Sequence, residues 1–481
     1  MKVFQNIIGA ESIAAISQET MKVSDPTTGE TIGHVPFSSK DDVDMAIGAC
    51  THAQQLWWQT VPAEREQALL KCADILEAHA QELADLVLQE SGSTLTKSFH
   101  EVHYSASLLR TAAGETRRLY GETFPNDKIN KVSMVFREPL GLVAVISPFN
   151  APLALFIKMI AFPLAAGNGV IAKPSEETPM TATRAAQLFL DAGLPPGLLN
   201  IINGNGESAG SALANHPDIQ GITFTGSTHT GKLIGHAAIN DMKHVHLELG
   251  GNNSLIILKD ADIEKAAQQA AVGAFFHSGQ ICMASSRILV DSSIKEPFID
   301  AFKTKAESLH LGDLRDSKTA YGPLINKKGL DRVQRQIDTA ITSGAQLITG
   351  GATLDHLRLK PTIILDPPLE SDLWQEETFG PVAAVKGFKT TAEAIELANN
   401  NIYGLSSGII TNQINEGMNI AQKLKCGSVH LGTHSFQSDA MAPIGGYKMS
   451  GLGKSGGKYS TEAFTEQKWI SMELTENPLP F

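Results

Sequence analysis

Cysteine is scarce in this 481-residue sequence, which contains only four. The four are far apart and form no CxxC pair, so they indicate neither a zinc site nor a dense disulfide framework. We therefore expect no metal and a reduced, cytoplasmic location. Basic residues are also outnumbered, with 39 Lys and Arg against 51 Asp and Glu, which argues against nucleic acid and membranes as partners.

An uninterrupted apolar run long enough to cross a membrane is also missing. The longest apolar region, residues 141–172, is broken by Pro148, Pro152, Lys158 and Pro163, whereas a spanning helix needs about 20 mostly apolar residues. The first 20 residues match a signal peptide poorly, because an acidic residue interrupts their short apolar stretch. We interpret residues 141–172 as buried core.

The apolar periodicity predicts an α/β protein with two parallel sheets. Residues 41–119 have apolar side chains three and four apart, which indicates helices. From VSMVFREP to VHLELGG, strand-like runs alternate with helices, as in a parallel sheet built from βαβ units. A second such alternation covers about residues 252–449. The alternating strand in EAFTEQKWISMEL, together with VSMVFREP, is expected to pair at an edge with another subunit.

Two glycine-rich turns could bind a dinucleotide. INGNGESAG, residues 202–210, follows a strand but has GxGxxxG rather than GxGxxG spacing. FTGSTHTG is the better candidate, because Gly226, Ser227 and Gly231 lie at a strand-to-helix junction, where free N–H groups and the helix dipole favour a phosphate. A turn without a ligand remains the alternative for both.

A cation and a carboxylate follow another strand in AKPSEE. Lys173 and Glu176 could bind ribose hydroxyls there. Alternatively, Ser175 caps a helix at this point and Glu176 interacts favourably with the helix dipole.

Three further residues could carry catalysis. Glu248 lies between leucines in LELGG, so it either turns to the surface or is buried with a raised pKa, as suits a general base. Asn150 lies between two prolines and could donate to an oxyanion or serve only the turn. Cys282 in HSGQICM is a nucleophile or a small buried thiol, and Gly279 would leave space beside it. We discount a dyad with His277, because the local protease signatures are absent.

Seven motifs, taken in order, resemble those of the NAD(P)-dependent aldehyde dehydrogenase superfamily: PFNAP, AKPSEE, FTGSTHTG, LELGG, GQICM, EETFGP and PIGGYKMSG. The resemblance implies an aldehyde dehydrogenase-like α/β fold with two parallel-sheet domains and a small β oligomerisation element. A Rossmann-like NAD-binding domain would comprise residues 1–119 and 140–250. The catalytic domain would comprise 251–449, and the oligomerisation element 120–139 and 462–481. It also implies a homodimer or homotetramer.

The resemblance assigns the catalytic roles. Cys282 would attack a small-molecule aldehyde, and the Asn150 amide with the Cys282 backbone N–H would bind the oxyanion. Glu248 would activate water, the acyl acceptor, to hydrolyse the thioester. Lys158 lies one residue away from a lysine that some family members use in proton relay, so we give it a secondary place.

The cofactor residues follow from the same resemblance. Lys173 and Glu176 would hold the adenine ribose, and Glu377 with Phe379 would hold the nicotinamide end. The adenine and pyrophosphate would meet the glycine-rich turns at Gly206, Gly226, Ser227 and Gly231. Glu176 favours NAD, because a carboxylate repels a 2′-phosphate, although NADP is also a possible cofactor.

The sequence resembles bacterial salicylaldehyde, benzaldehyde and vanillin dehydrogenases most closely, which implies an aromatic aldehyde. The substrate pocket is expected to involve Phe149, Leu155, Ile281 and Ile444. Phe149, Ile444 and Gly432 depart from residues common in the superfamily. The alternatives are an aliphatic or semialdehyde dehydrogenase, a CoA-acylating enzyme, a non-catalytic homologue and a cysteine hydrolase.

Overall fold

Two large, mostly parallel sheets organise the chain in the computed structural model, which describes residues 2–475. In spatial order, the strands of the first sheet are Gly451–Leu452, His244–Glu248, Gly221–Thr225, Leu142–Ile146, Gly169–Lys173, Leu199–Ile201, Asn6–Ile8 and Glu11–Ile13. The five strands from 142 to 248 run parallel, and the other three are antiparallel to their neighbours. This confirms the alternation predicted before residue 250, whereas the two strands before residue 14 are too short to show a pattern.

The order of the parallel strands reverses beside Leu142–Ile146. The chain continues from this strand to Gly169–Lys173 on one side, and later returns to Gly221–Thr225 on the other. Open α/β sheets bind ligands at such a switch point, outside the carboxyl ends of the strands. The turns that begin at residues 147, 174 and 226 therefore lie where a ligand is expected.

Helices cover the first sheet and confirm the helical pattern of residues 41–119. Their bounds are Lys40–Gln59, Pro62–Ala78, Ala80–Ser91, Leu95–Glu115, Ala154–Ala165, Pro179–Asp191, Ser211–Asn215 and Thr228–Asn240, with a π-helical turn at Gly206–Gly210. The first helix begins where the Asp42 carboxylate accepts the Ser39 N–H at 2.8 Å, and the second begins with a proline, whose missing N–H is not needed there.

The second sheet has seven strands: Gln346–Thr349, Thr362–Leu365, Val382–Phe388, Arg287–Asp291, Ser254–Ile257, Ser406–Ile410 and Ser428–Leu431. All neighbours are parallel except Gln346–Thr349. Its helices are Ile263–Phe275, Lys295–Glu307, Lys327–Thr342, Asp372–Gln375, Thr391–Asn399 and Ile414–Ala421, with a 3-10 turn at Phe276–Gly279. The second predicted alternation is thereby confirmed. No helix within residues 2–475 is long and apolar enough to cross a membrane.

Three small sheets complete the fold. Thr465–Glu473 pairs with Lys131–Pro139 over nine residues, and Glu122–Phe124 lies on the other side. The two segments expected at a subunit edge thus pair with each other, and pairing with another subunit stays a prediction. The other small sheets and the C-terminal turns are Lys2–Val3 with Thr31–Pro36 and Thr20–Ser24, Thr353–Asp355 with Arg358–Leu359, the 3-10 turn Lys448–Ser450 and the helix Gly457–Ala463.

Candidate active site

A cavity of about 880 Å³ lies at the switch point of the first sheet and reaches the second sheet's segments. Its volume is within the range of about 300–1,000 Å³ that is usual for small-molecule sites. Eleven of the predicted site residues line it: Phe149, Asn150, Leu155, Lys173, Glu176, Gly206, Gly226, Ser227, Cys282, Glu377 and Phe379. The fold thereby joins motifs from three strand ends with the cysteine loop.

Four predicted residues do not line this cavity. Gly231 is buried in its helix, where a Cβ would lie 2.3 Å from Leu249 Cδ2, so its small size serves packing. Ile281 faces a separate space of about 10 Å³. Ile444 pairs through its backbone with Ser455. The fourth, Glu248, is considered with the catalytic groups.

Cys282 is half-buried and lines the cavity. The Asn253 amide holds its loop by donating to the carbonyls of Cys282 at 2.8 Å and Ala284 at 2.9 Å. Burial raises the pKa of the thiol to about 12, and the nearby charges of Glu377 and Glu248 also raise it. The cysteine is therefore accessible but protonated near neutral pH.

Asn150 points its amide toward the cysteine loop. Its Nδ2 donates to the carbonyl of Gln280 at 2.8 Å. An amide nitrogen has two N–H groups, so one remains for a ligand in the cavity. Gln280 is fixed in turn, because its Oε1 accepts the N–H of Ile325 at 3.0 Å.

Glu248 is half-buried and does not line the cavity. Its Oε1 is 3.5 Å from the Ser455 hydroxyl, which donates to it, and 3.5 Å from His246 Nε2. Lys158 is buried nearby, and burial lowers its pKa while the charges of Glu248 and Cys282 oppose that shift. The cysteine, the carboxylate and the lysine are therefore close enough for their charges to interact.

His277 and Gly279 have structural partners. The His277 ring donates to the Asn150 backbone, and burial holds its pKa well below the usual value. Gly279 has a φ of +65°, and a Cβ would lie 2.1 Å from the Gly380 carbonyl oxygen. The expectation that Gly279 leaves space for a ligand is wrong, because the neighbouring backbone fills that space.

The other end of the cavity carries the glycine-rich turns. Ser227 caps the helix Thr228–Asn240 by accepting the Thr230 N–H at 3.2 Å. A Cβ added at Gly206 would have no atom within 4 Å, so the backbone there is open to the cavity. These features fit a phosphate beside a helix N-terminus and a flat ring over an open backbone.

Lys173 and Glu176 form the adjacent wall. The Lys173 ammonium is buried and donates to the carbonyls of Pro174 at 2.8 Å and Gly204 at 3.1 Å, while Glu176 is 3.3 Å away and exposed to the cavity. The alternative in which Ser175 caps a helix is wrong, because the helix begins at Pro179.

Glu377 and Phe379 come from the second sheet's side. Burial raises the pKa of Glu377 to about 7, and its Oε1 accepts the Gly251 N–H at 2.9 Å. Phe379 meets Phe149 edge to face, with ring centroids 5.8 Å apart. A buried carboxylate and an aromatic ring at one end of the cavity suit a ribose and a flat heterocycle.

One wall of the cavity, the helix Lys327–Thr342, was not predicted from the sequence. Lys328, Arg332 and Arg335 line the cavity from it, and Arg332 Nη2 donates to the Thr378 carbonyl at 3.2 Å. Their spacing of four and three residues places the three cations on one helix face. The same spacing is usual for a solvent-exposed face, so it did not indicate a site. Within residues 2–475, no group of three or more His, Cys, Asp or Glu could hold a metal.

Comparison with known proteins identifies the family of this chain. The model of the aldehyde dehydrogenase family matches residues 13–470. The chain is 40% identical to phenylacetaldehyde dehydrogenase of Pseudomonas fluorescens, with 96% of this chain and 94% of that protein covered. It is 35% identical to a benzaldehyde dehydrogenase of Bacillus subtilis, covering 99% and 98%, and 37% identical to mitochondrial succinate-semialdehyde dehydrogenase of Arabidopsis thaliana, covering 97% and 89%.

Solved structures of related enzymes have the same fold. An NAD-dependent aldehyde dehydrogenase from Sinorhizobium meliloti superposes with a TM-score of 0.97 at 32% identity, covering 100% of this chain and 96% of that one. An NADP-dependent enzyme of E. coli has a TM-score of 0.96 at 33% identity, with 98% of both chains covered. The family match and these relatives identify the protein as an oxidoreductase. The chain belongs to the aldehyde dehydrogenase family.

Proposed function

We propose that this aldehyde dehydrogenase oxidises an aromatic aldehyde to its acid, with NAD as the preferred cofactor and water as the acyl acceptor. The observation that carries the proposal is one cavity in which the Cys282 thiol and the Asn150 amide meet a wall suited to a dinucleotide. Glu248 is close enough for its charge to act on the thiol. These groups supply a nucleophile, an oxyanion donor and a base.

Cys282 and Asn150 carry the first half of the reaction. The thiol passes its proton to Glu248 and its sulfur bonds to the aldehyde carbon, so the C=O π bond breaks and the carbonyl oxygen becomes an oxyanion. The free N–H of the Asn150 amide and the Cys282 backbone N–H bind that oxygen. Such donors act strongly in a water-poor site because they are already in place when the charge develops. The covalent bond also fixes the carbon for the next step.

The residues named for the cofactor are Lys173, Glu176, Gly206, Gly226, Ser227, Glu377 and Phe379. A nicotinamide held there would supply the hydride acceptor, and Cys282 would then carry the oxidised acyl group as a thioester. Glu176 supports NAD, because its carboxylate would bind ribose hydroxyls and repel a 2′-phosphate. Lys173 offsets part of this repulsion, because its ammonium lies 3.3 Å from the Glu176 carboxylate, although it also donates to two carbonyls.

Glu248 supports water as the acyl acceptor. Hydrolysis needs a base that removes a proton from water as the water attacks, and the C–S bond then breaks to free the thiol. Exchange with the thiol of CoA needs no such base. Because the carboxylate now lies against Ser455, its side chain has to rotate toward Cys282 to act.

Aromatic substrates are supported by the cavity and by relatives. Phe149 and Leu155 are apolar and line the cavity near Asn150, and Phe149 is held by Phe379. Relatives that act on phenylacetaldehyde, benzaldehyde, vanillin and salicylaldehyde are 34–40% identical. A semialdehyde is the second candidate, because succinate-semialdehyde dehydrogenases are 36–37% identical.

Further parts of the proposal concern organisation. We assign cofactor binding to residues 1–119 with 140–250, and catalysis to 251–449. The element 120–139 with 462–481 would join a homodimer or homotetramer, since the edge strand Thr465–Glu473 exposes apolar side chains such as Trp469, which is 61% exposed. The cysteine content supports a cytoplasmic location.

The test is NADH or NADPH formation with benzaldehyde, salicylaldehyde, vanillin, phenylacetaldehyde, succinate semialdehyde and hexanal. We expect the highest kcat/KM with an aromatic aldehyde and NAD. A preference for succinate semialdehyde or hexanal would overturn the aromatic assignment. Added CoA should yield no acyl-CoA, and a stoichiometric acyl-CoA product would overturn the assignment of water.

A further inference from the structure

A buried ion pair lies behind Asn150, on a helix that contributes none of the motifs. Lys97 and Glu101 belong to Leu95–Glu115 and are only 7% and 3% exposed. They are one helical turn apart and form a salt bridge. Removing two charges from water is costly, so a buried pair is weak evidence for stability. The contacts of the pair point to another role.

Both residues of the pair form hydrogen bonds with the turn that contains Asn150. Lys97 Nζ donates to the Asn150 carbonyl at 2.9 Å. The second oxygen of Glu101 accepts the N–H groups of Leu153 at 3.2 Å and Ala154 at 3.1 Å. The pair therefore fixes the turn at its start and at its end, where the next helix begins.

We propose that Lys97 and Glu101 are positioning residues for the oxyanion-binding amide of Asn150. The Lys97 contact fixes the peptide plane of Asn150, while Glu101 holds the ammonium and the rest of the turn. The Asn150 side chain is held in turn, because one N–H of its amide donates to the Gln280 carbonyl. This bond fixes the direction in which the second N–H points. This inference rests on the proposed function of Asn150.

A comparison within the chain separates this role from simple helix capping. Glu90 is also buried, and its two oxygens accept the N–H groups of Met180 at 2.8 Å and Thr181 at 2.9 Å, at the start of another helix. Glu90 has no lysine partner among the hydrogen bonds and salt bridges of the described residues. A buried carboxylate can thus cap a helix without a buried cation. Lys97 is therefore not needed for capping, and its contact is with the Asn150 carbonyl.

His277 contacts the same backbone from the other side. Its ring donates to the Asn150 backbone, and the charge of Lys97 lowers its pKa further. A neutral imidazole and an ammonium therefore both contact the Asn150 backbone. This leaves the lysine as the charged donor to the Asn150 peptide.

The main test uses Lys97→Met with Glu101→Gln, which removes both charges but keeps an oxygen for the two backbone N–H groups. The rate constant of the first NADH turnover, measured by stopped flow with the favoured aldehyde, reports oxyanion binding. We expect it to fall about 10- to 100-fold, as a displaced catalytic group does, while the aldehyde KM changes by less than about threefold, because ground-state binding is retained. Glu90→Gln is the matched control and should keep the wild-type rate.

A cycle with Asn150→Ala distinguishes positioning from a general structural effect. If the pair acts through Asn150, the double substitution should change the residual rate of Asn150→Ala by less than about twofold. An equal loss in both backgrounds would overturn the proposal. Circular dichroism and the rate of Cys282 alkylation by iodoacetamide check that the fold and cavity persist.

If the double variant does not fold, Glu101→Gln alone tests the same contact, because it weakens the hold on Lys97 and keeps the side-chain shape. A wild-type first-turnover rate in either folded variant would overturn the proposal. Wild-type protein that forms no NADH with any aldehyde would instead refute the proposed function, so the two failures are distinguishable.

Discussion

Gly279→Ala should lower the stability of the protein. Gly279 is three residues from Cys282, but we expect its substitution to act on packing and not on ligand binding. An alanine there keeps φ near +65°, which costs about 1–2 kcal/mol for a residue with a Cβ. Its Cβ would also lie 2.1 Å from the Gly380 carbonyl oxygen, and forcing a methyl group into a packed region costs about 1–3 kcal/mol. We expect a total of roughly 2–5 kcal/mol, seen as a fall in melting temperature of about 2–5 °C, because a chain of 481 residues unfolds with an entropy of about 1 kcal/mol/K.

The matched control is Gly206→Ala. No atom within 4 Å would meet its Cβ and its φ is not positive, so its melting temperature should stay within about 1 °C of the wild type. Differential scanning fluorimetry measures both variants. A Gly279→Ala protein with the wild-type melting temperature but weaker NAD binding would refute the packing argument. It would restore the idea that Gly279 leaves room for a ligand.

Three other predictions concern the reacting groups. Glu248→Gln should give one NADH per active site, formed more slowly than in the wild type because the thiol also loses its base, and then turnover that is slower by at least about 100-fold, because deacylation lacks its base. Steady wild-type turnover in stopped-flow traces would contradict this. Since the pKa of Cys282 is raised to about 12, its thiolate fraction should rise about tenfold per pH unit from pH 7 to 10. Iodoacetamide labelling followed by mass spectrometry should show that slope, with Cys282→Ala as the blank, and a plateau near pH 8 would refute it. Lys158→Met should slow this labelling at a given pH, because the cation opposes the rise of the thiol pKa; faster labelling would contradict the assigned sign.

The strand ends were the part of the site that the sequence could predict. Asn150, Lys173 and Ser227 each lie at or just after the end of a strand, and parallel strands bring their carboxyl ends together by construction. The alternation of strands and helices was therefore enough to place them on one cavity. Cys282 follows no strand of that sheet, and only the resemblance of its motif placed it there.

Contacts between distant backbone segments were not predictable in the same way. Gly279 resembles a space-making glycine in its motif, but the atom that requires it belongs to Gly380, about 100 residues later in the chain. Lys97 and Glu101 have the spacing of an ordinary exposed i, i+4 pair. Only the packing of their helix against the turn after residue 150 shows that they are buried.

The charges around Cys282 set the order of events in the proposed reaction. Burial is the main cause of the raised pKa of the thiol, the carboxylates of Glu377 and Glu248 raise it further, and Lys158 is the cation that opposes them. A thiol held protonated in this way reacts slowly with oxidants and stray electrophiles, because the thiolate is the nucleophile. Its proton therefore has to pass to a base before attack. Glu248 is suited to this as well as to deacylation, provided that its side chain leaves Ser455 and turns to the sulfur.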